Sequence, residues 1–117
     1  MENKTILFQS DKIGEGALGN IVSAGFIGTL LQMPQELLPQ RIVFLNTGVF
    51  LSTQNSHIDN TGVVETLKTL EKMGVEIFSC ETCLVHFGLK DKLLVGKIGN
   101  AVAIMQNLLS NDGVILF

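Results

Sequence analysis

Tryptophan and tyrosine are absent from this chain, and lysine and arginine together number only 8. The basic residues form no run, and the net charge is −3. A surface that grips phosphate and stacks bases draws on both kinds of residue, so nucleic-acid binding has no support. Long apolar runs are missing too, since no segment approaches the ~18 consecutive apolar residues that cross a bilayer. The start, MENKTILFQSD, lacks a basic stretch, a long apolar run and a small-residue cleavage site, so no secretory signal is read there. Cysteine occurs only as Cys80 and Cys83, three positions apart. A pair that close cannot staple distant parts of a fold. It points to a cytoplasmic protein with reduced or reactive thiols.

What the chain does have is apolar surface. Hydrophobic residues make up 46% and charged residues 16%, and the mean hydropathy is +0.40. Its 117 residues suit one domain with a single core, spanning 1–117. That much apolar surface predicts a sheet covered on both faces, a homo-oligomer, or both.

The pattern alternates strand and helix. TILFQ at 5–9 reads as a short buried strand, followed by the glycine-rich loop SDKIGEGALG. From Leu18 to about Met33 a helical period places Leu18, Ile21, Val22, Gly25, Phe26 and Thr29/Leu30 on one side. Pro34 and Pro39 bracket a connection to a second strand, Arg41–Asn46. A polar loop is expected over Thr47–Asn60, then a helix over Thr61–Met73 capped by Asn60 or Thr61 and closed by Gly74. Val75–Ser79 reads as the third strand, and the cysteine pair opens a short helix ending at Gly88. Leu93–Val95 is the candidate fourth strand. A last helix capped by Asn100 precedes a final strand, Val114–Phe117. This order predicts a three-layer α/β/α domain with a mainly parallel sheet.

Gly14-Glu15-Gly16-Ala17-Leu18-Gly19 matches G-x-G-x-x-G. A dinucleotide fingerprint would follow its strand directly, whereas Ser10-Asp11-Lys12-Ile13 intervene here. Its second strand would end in Asp or Glu rather than Asn46, and Glu15 would repel a pyrophosphate. The glycines are better read as permitting a tight turn and close helix–sheet packing, or as bordering a pocket. No cofactor is expected.

Cys80 follows a strand, and Cys83 falls in or just before the first turn of the next helix. Both sulfurs are thus placed at the carboxyl edge of the sheet, where open α/β folds keep their sites. The helix start favours thiolate, and Lys90 and Lys92 would add positive potential if the chain folds back. Four readings stand: a persulfide carrier, a C-x-x-C dithiol cycling through a disulfide, a metal site with His86 or His57, and two small buried apolar residues. No proline follows Pro39, which removes the cis-proline that thioredoxin-like sites use. The metal reading lacks a second ligand pair, and no metal is expected.

The segment Ser-Cys-x-Thr-Cys-Leu followed by Gly-Leu-Lys-Asp, with SDKIGEGALG, IVFLNTGV and LKTLEKMGVEIFSCETCL, resembles the DsrE-like sulfur-relay family, and within it the YedF-like branch associated by name with selenium metabolism. The resemblance covers nearly the whole chain. It implies a five-stranded parallel sheet between helices, usually assembled as trimers or hexamers. It also implies sulfur acceptance on a cysteine after the third strand, about eight positions before a glycine, which is how Cys80 stands before Gly88. Cys83 is then the second candidate for the acceptor, or a resolving thiol, and the partner a sulfur-carrier or desulfurase protein. The stretch Val85-His86-Phe87 lacks the basic residues usual before that glycine. The fuller YedF-like architecture has an additional N-terminal domain, so the chain is read as a fragment or a freestanding version. Asn46 and Gly48, on the loop after the second strand, are candidate pocket residues. The expected function is a sulfurtransferase-like persulfide carrier. The alternatives are a non-enzymatic oligomeric binding module for a sulfur- or selenium-carrier partner, and a thiol–disulfide redox protein.

Overall fold

Short β-branched and aromatic runs, each followed by a loop and a helix, form the strands β1 (Glu2–Phe8), β2 (Pro39–Phe44), β3 (Glu76–Cys80), β4 (Lys97–Gly99) and β5 (Gly113–Leu116). Between them lie α1 (Gly16–Thr29), α2 (Thr61–Lys72), α3 (Glu81–His86) and α4 (Ala101–Ser110). The computed structural model describes residues 1–117. All strand pairs are parallel, and the order across the sheet is β4-β3-β2-β1-β5.

That order dictates where the helices go. The chain steps in one direction from β1 to β4, then reverses to place β5 beside β1. Right-handed crossovers put helices on one face for the forward steps and on the other for the reversal. Packing agrees. Ile6, Phe8, Ile42, Phe44 and Ile77 form one core with Ile27 of α1, Val63, Leu67 and Leu70 of α2, and Leu84 of α3. Leu7 and Val43, on the opposite side of the pleat, meet Ile104 of α4. Each fully buried Ile or Phe here is worth about 1.5–3 kcal/mol.

Three expectations need correction. The fourth strand is Lys97–Gly99, not Leu93–Val95, because Gly96 (φ +79°) turns the chain hard against β3, where a Cβ would lie 2.6 Å from the Ile77 carbonyl oxygen. Leu93 makes only an isolated antiparallel bridge to Thr53. The segment after β2 is no polar loop: Asn46–Leu51 forms a 3-10 helix that buries Gly48, Val49, Phe50 and Leu51. Asn60 sits at the start of α2 without capping it, since its amide donates to the Phe50 and Thr53 carbonyls at 2.8 and 2.7 Å. The Asp59 carboxylate instead accepts the Thr61 N–H. The apolar side of α1 faces outward at Leu18, Ile21 and Phe26, while the helix buries Gly19, Ser23 and Ile27.

Other signals landed where they pointed. Gly74 (φ +103°) ends α2, Gly88 (φ +70°) ends α3, and the Asn100 side chain accepts the Ala103 N–H at 2.8 Å to start α4. The glycine-rich loop is a packing device: Gly14 and Gly16 have positive φ, and a Cβ on Gly19 would approach Lys12 Cβ to 2.8 Å.

Candidate functional site

In an all-parallel sheet every strand delivers its following loop to the same edge. The loops after the adjacent strands β2 and β3 therefore meet, and both cysteines lie at that meeting point. Cys80 is the last residue of β3, paired in register with Gly99 of β4. It is also the residue from which α3 starts, and Cys83 stands one turn on. The pleat turns Cys80 toward the α4 side, where it packs on the Leu7, Val43 and Ile104 cluster. Cys83 packs on the larger core across the sheet edge. Both are free and half-buried, and the two side chains are close enough to interact.

Cys83 Sγ accepts the backbone N–H of Asn46 at 3.0 Å. Asn46 is the one non-glycine residue with positive φ, at 51°. Asparagine tolerates this left-handed conformation, and here its own Oδ1 accepts the Thr47 N–H at 2.8 Å. Beneath it, a buried Ser52–Ser79 hydroxyl pair at 2.6 Å ties the 3-10 helix to β3. The register between Asn46 and the cysteine turn is thereby fixed.

Asn46, Thr82, Cys83, His86 and Phe87 line an open pocket of about 290 Å³. Of the candidate residues, the structure brings Cys83 and Asn46 together in the pocket, and Cys80 neighbours Cys83 without lining it. Gly48 lies off the pocket, buried against β1, where a Cβ would fall 2.5 Å from the Phe8 carbonyl oxygen. His86 is on the pocket wall. His57 is apart from it, stacked on Phe50 with ring centroids 4.1 Å apart, and Phe50 in turn meets Phe87 at 4.8 Å. His57 borders a smaller pocket with Asn20 and Asp59. No three of the His, Cys, Asp and Glu side chains converge as a metal set. The glycine-rich loop supplies none of the cysteine pocket's lining.

Sequence reading passed over Thr82 and Phe87. The signal was present: His86 and Phe87 stand three and four residues after Cys83, on the same helix face. The electrostatics also differ from the expectation of a thiolate-favouring helix start. Burial pushes the Cys83 thiol up, and the neighbouring Cys80 adds to this, against the opposing pull of the Asn46 N–H. The six residues of α3 give little macrodipole. Lys90 folds back, but its ammonium pairs with Glu81 at 3.4 Å rather than with a thiol.

The family model for the DsrE/DsrF-like family matches residues 6–117. The chain belongs to this family. DsrE-like proteins are sulfur-relay proteins, so a cysteine pair at the sheet edge stands in a family whose chemistry is sulfur transfer. The DsrE-like fold is equally plain in three dimensions. The crystal structure of the ychN protein from E. coli superposes with a TM-score of 0.73 over 100% of both chains, at 21% identity. No curated protein matches the sequence.

Proposed function

We propose that this protein accepts sulfane sulfur on Cys80 as a persulfide and passes it on. The observation that carries the reading is the pair of neighbouring free thiols at the carboxyl edge of the sheet, beside a pocket open to solvent. In the loading step the Cys80 thiolate attacks the terminal sulfur of a donor persulfide, R–S–SH. Cys80 gains the S–S bond, and RS⁻ leaves. Cys80 is taken as the attacking group from its place as the last residue of β3, eight positions before Gly88.

Within the family we place the chain in the YedF-like branch. The support is Ser79-Cys80-Glu81-Thr82-Cys83-Leu84 followed by Gly88-Leu89-Lys90-Asp91. Selenium as an alternative cargo rests on that branch's name. A cysteine desulfurase or a sulfur-carrier protein is the partner class, and the cytoplasm, where thiols stay reduced, is the compartment. Assembly as a trimer or hexamer is part of the same reading. Leu18, Ile21 and Phe26 on α1, and Val102, Met105 and Leu109 on α4, are exposed on opposite sides of the sheet. Two separate apolar faces suit two kinds of subunit contact. They also favour the second reading, an oligomeric module that binds a carrier partner without chemistry.

Intact mass separates the two readings. After incubation with a cysteine desulfurase and cysteine, the Cys83→Ala chain is expected to gain one sulfur atom and the Cys80→Ala chain none. Uptake by neither would leave only the binding module.

A further inference from the structure

A persulfide on Cys80 would not sit alone. The residue beside its sulfur is Cys83, one helical turn on, and Cys83 is held in place by two independent contacts. Its Sγ accepts the Asn46 N–H at 3.0 Å, and its side chain packs on the main core. Residues three apart on a helix face one another with Cβ atoms about 5–6 Å apart, the Cys80 and Cys83 side chains interact, and a small approach of the two closes a disulfide. A relay cysteine that only hands sulfur to a partner has no use for a second thiol fixed there.

We propose that Cys83 discharges the persulfide on Cys80 as hydrogen sulfide, leaving a Cys80–Cys83 disulfide. This rests on the sulfur-relay reading and adds a fate for the sulfur. Cys83 Sγ attacks Cys80 Sγ, the sulfur it already neighbours, rather than the terminal sulfur, which projects further from the chain. The bond from Cys80 Sγ to the terminal sulfur breaks as the Cys80–Cys83 bond forms. The electron pair leaves on hydrosulfide, and the Cys83 proton completes H₂S. Both cysteine sulfurs are oxidised to the disulfide level while the sulfane sulfur is reduced to sulfide, so no outside oxidant enters. Hydrosulfide is a weaker base than an alkyl thiolate and departs more readily. The Asn46 N–H stabilises the negative charge that grows on Cys83 Sγ as its proton is lost. A dithiol reductant, small-molecule or protein, restores the pair for the next cycle. The chain would then deliver sulfide, a product that diffuses, instead of requiring a protein acceptor for every turnover.

The test uses the whole chain, reduced, desalted and kept anaerobic, with a stoichiometric low-molecular-weight persulfide donor and no added thiol. Intact mass and a sulfide assay are read together. The expected result for the native chain is loss of two hydrogens and release of about one sulfide per chain. Without donor its mass should not change. Cys83→Ala should hold one extra sulfur and release no sulfide, and Cys83→Ser, which keeps the side-chain size, should do the same. Retention of the extra sulfur by the native chain would overturn discharge and leave the relay intact. Equal sulfide release from the Cys83 variants would also overturn it. Sulfur uptake by none of the chains would overturn the relay reading and this inference with it.

Discussion

Helices α1 and α2 lie side by side on the same face of the sheet and carry apolar stripes of similar period, yet they dispose of them in opposite ways. The α2 stripe, Val63, Val64, Leu67 and Leu70, is buried, and its exposed positions include the charged Glu65, Lys68, Glu71 and Lys72. The α1 stripe faces out: Leu18 and Ile21 are each 68% exposed and Phe26 is 52%. Apart from Ile27, which reaches the core, what α1 buries is small or polar. Gly19 lets the helix lie against Lys12 and Gly14, and Ser23 Oγ donates to the Asp11 carbonyl at 2.7 Å. A stripe of period 3.6 says that a helix has an apolar side. It does not say whether that side meets the chain's own core or another surface. The residues opposite the stripe decide: charged on α2, uncharged and mostly small on α1.

Equal truncation of the two stripes breaks the symmetry most sharply. Leu67 is fully buried, so Leu67→Ala is expected to lower unfolding free energy by about 2–5 kcal/mol. Leu18→Ala, the same change on α1, should shift the stability of the isolated chain by no more than about 0.5 kcal/mol. Urea melts of both variants, run at a concentration where the protein is monomeric, check this. Similar losses at the two positions would mean that α1 is packed as α2 is.

Much of the fold was legible because its signals are local. Gly74 and Gly88 end their helices, and Asn100 caps α4 through its own side chain. The parallel sheet followed from the alternation of strand and helix. What escaped depends on contacts distant in sequence. The burial of Val49–Leu51 requires β3 and α2 to be in place, and β4 begins only where Gly96 clears Ile77. The site divides the same way. Cys80 and Cys83 stood out by spacing and by family resemblance, and Asn46 by its place after β2. Gly48 shares that loop but serves its packing on Phe8, a contact 40 residues back in the chain. The raised Cys83 thiol was not readable from sequence, because it comes from burial rather than from the helix start.

The second prediction places a charge on the outward face. Ile21→Lys leaves the core untouched, so the monomer should keep its stability within about 0.5 kcal/mol. If α1 is a subunit contact, burying that ammonium against a neighbouring chain is prohibitive. Light scattering should then show the assembly falling to a smaller species. An unchanged mass would remove α1 from the assembly contacts and leave α4 and the exposed edge strand β5 as apolar surface.

The smallest effect concerns the anchor that holds α1 in this orientation. Asp11 is buried, and burial alone would push its carboxyl up. The Asn20 amide at 2.8 Å and the Lys12 ammonium at 3.1 Å together outweigh that and hold it below the usual carboxylate range. A carboxyl depressed in the folded state stabilises it fully above the unfolded value of about 3.9. That contribution fades as pH falls through the lower folded value, where protonation removes the bond to Lys12. The corresponding carboxylate before α2, Asp59, accepts from Thr61 but is exposed and has no ammonium partner. Asp11→Asn should therefore be less stable than the native chain at neutral pH, with the gap narrowing as pH drops below about 4. Denaturant melts across that range test it. A gap that stays constant with pH would mean that the Asp11 charge contributes nothing and that α1 is oriented by Gly19 and Ser23 alone.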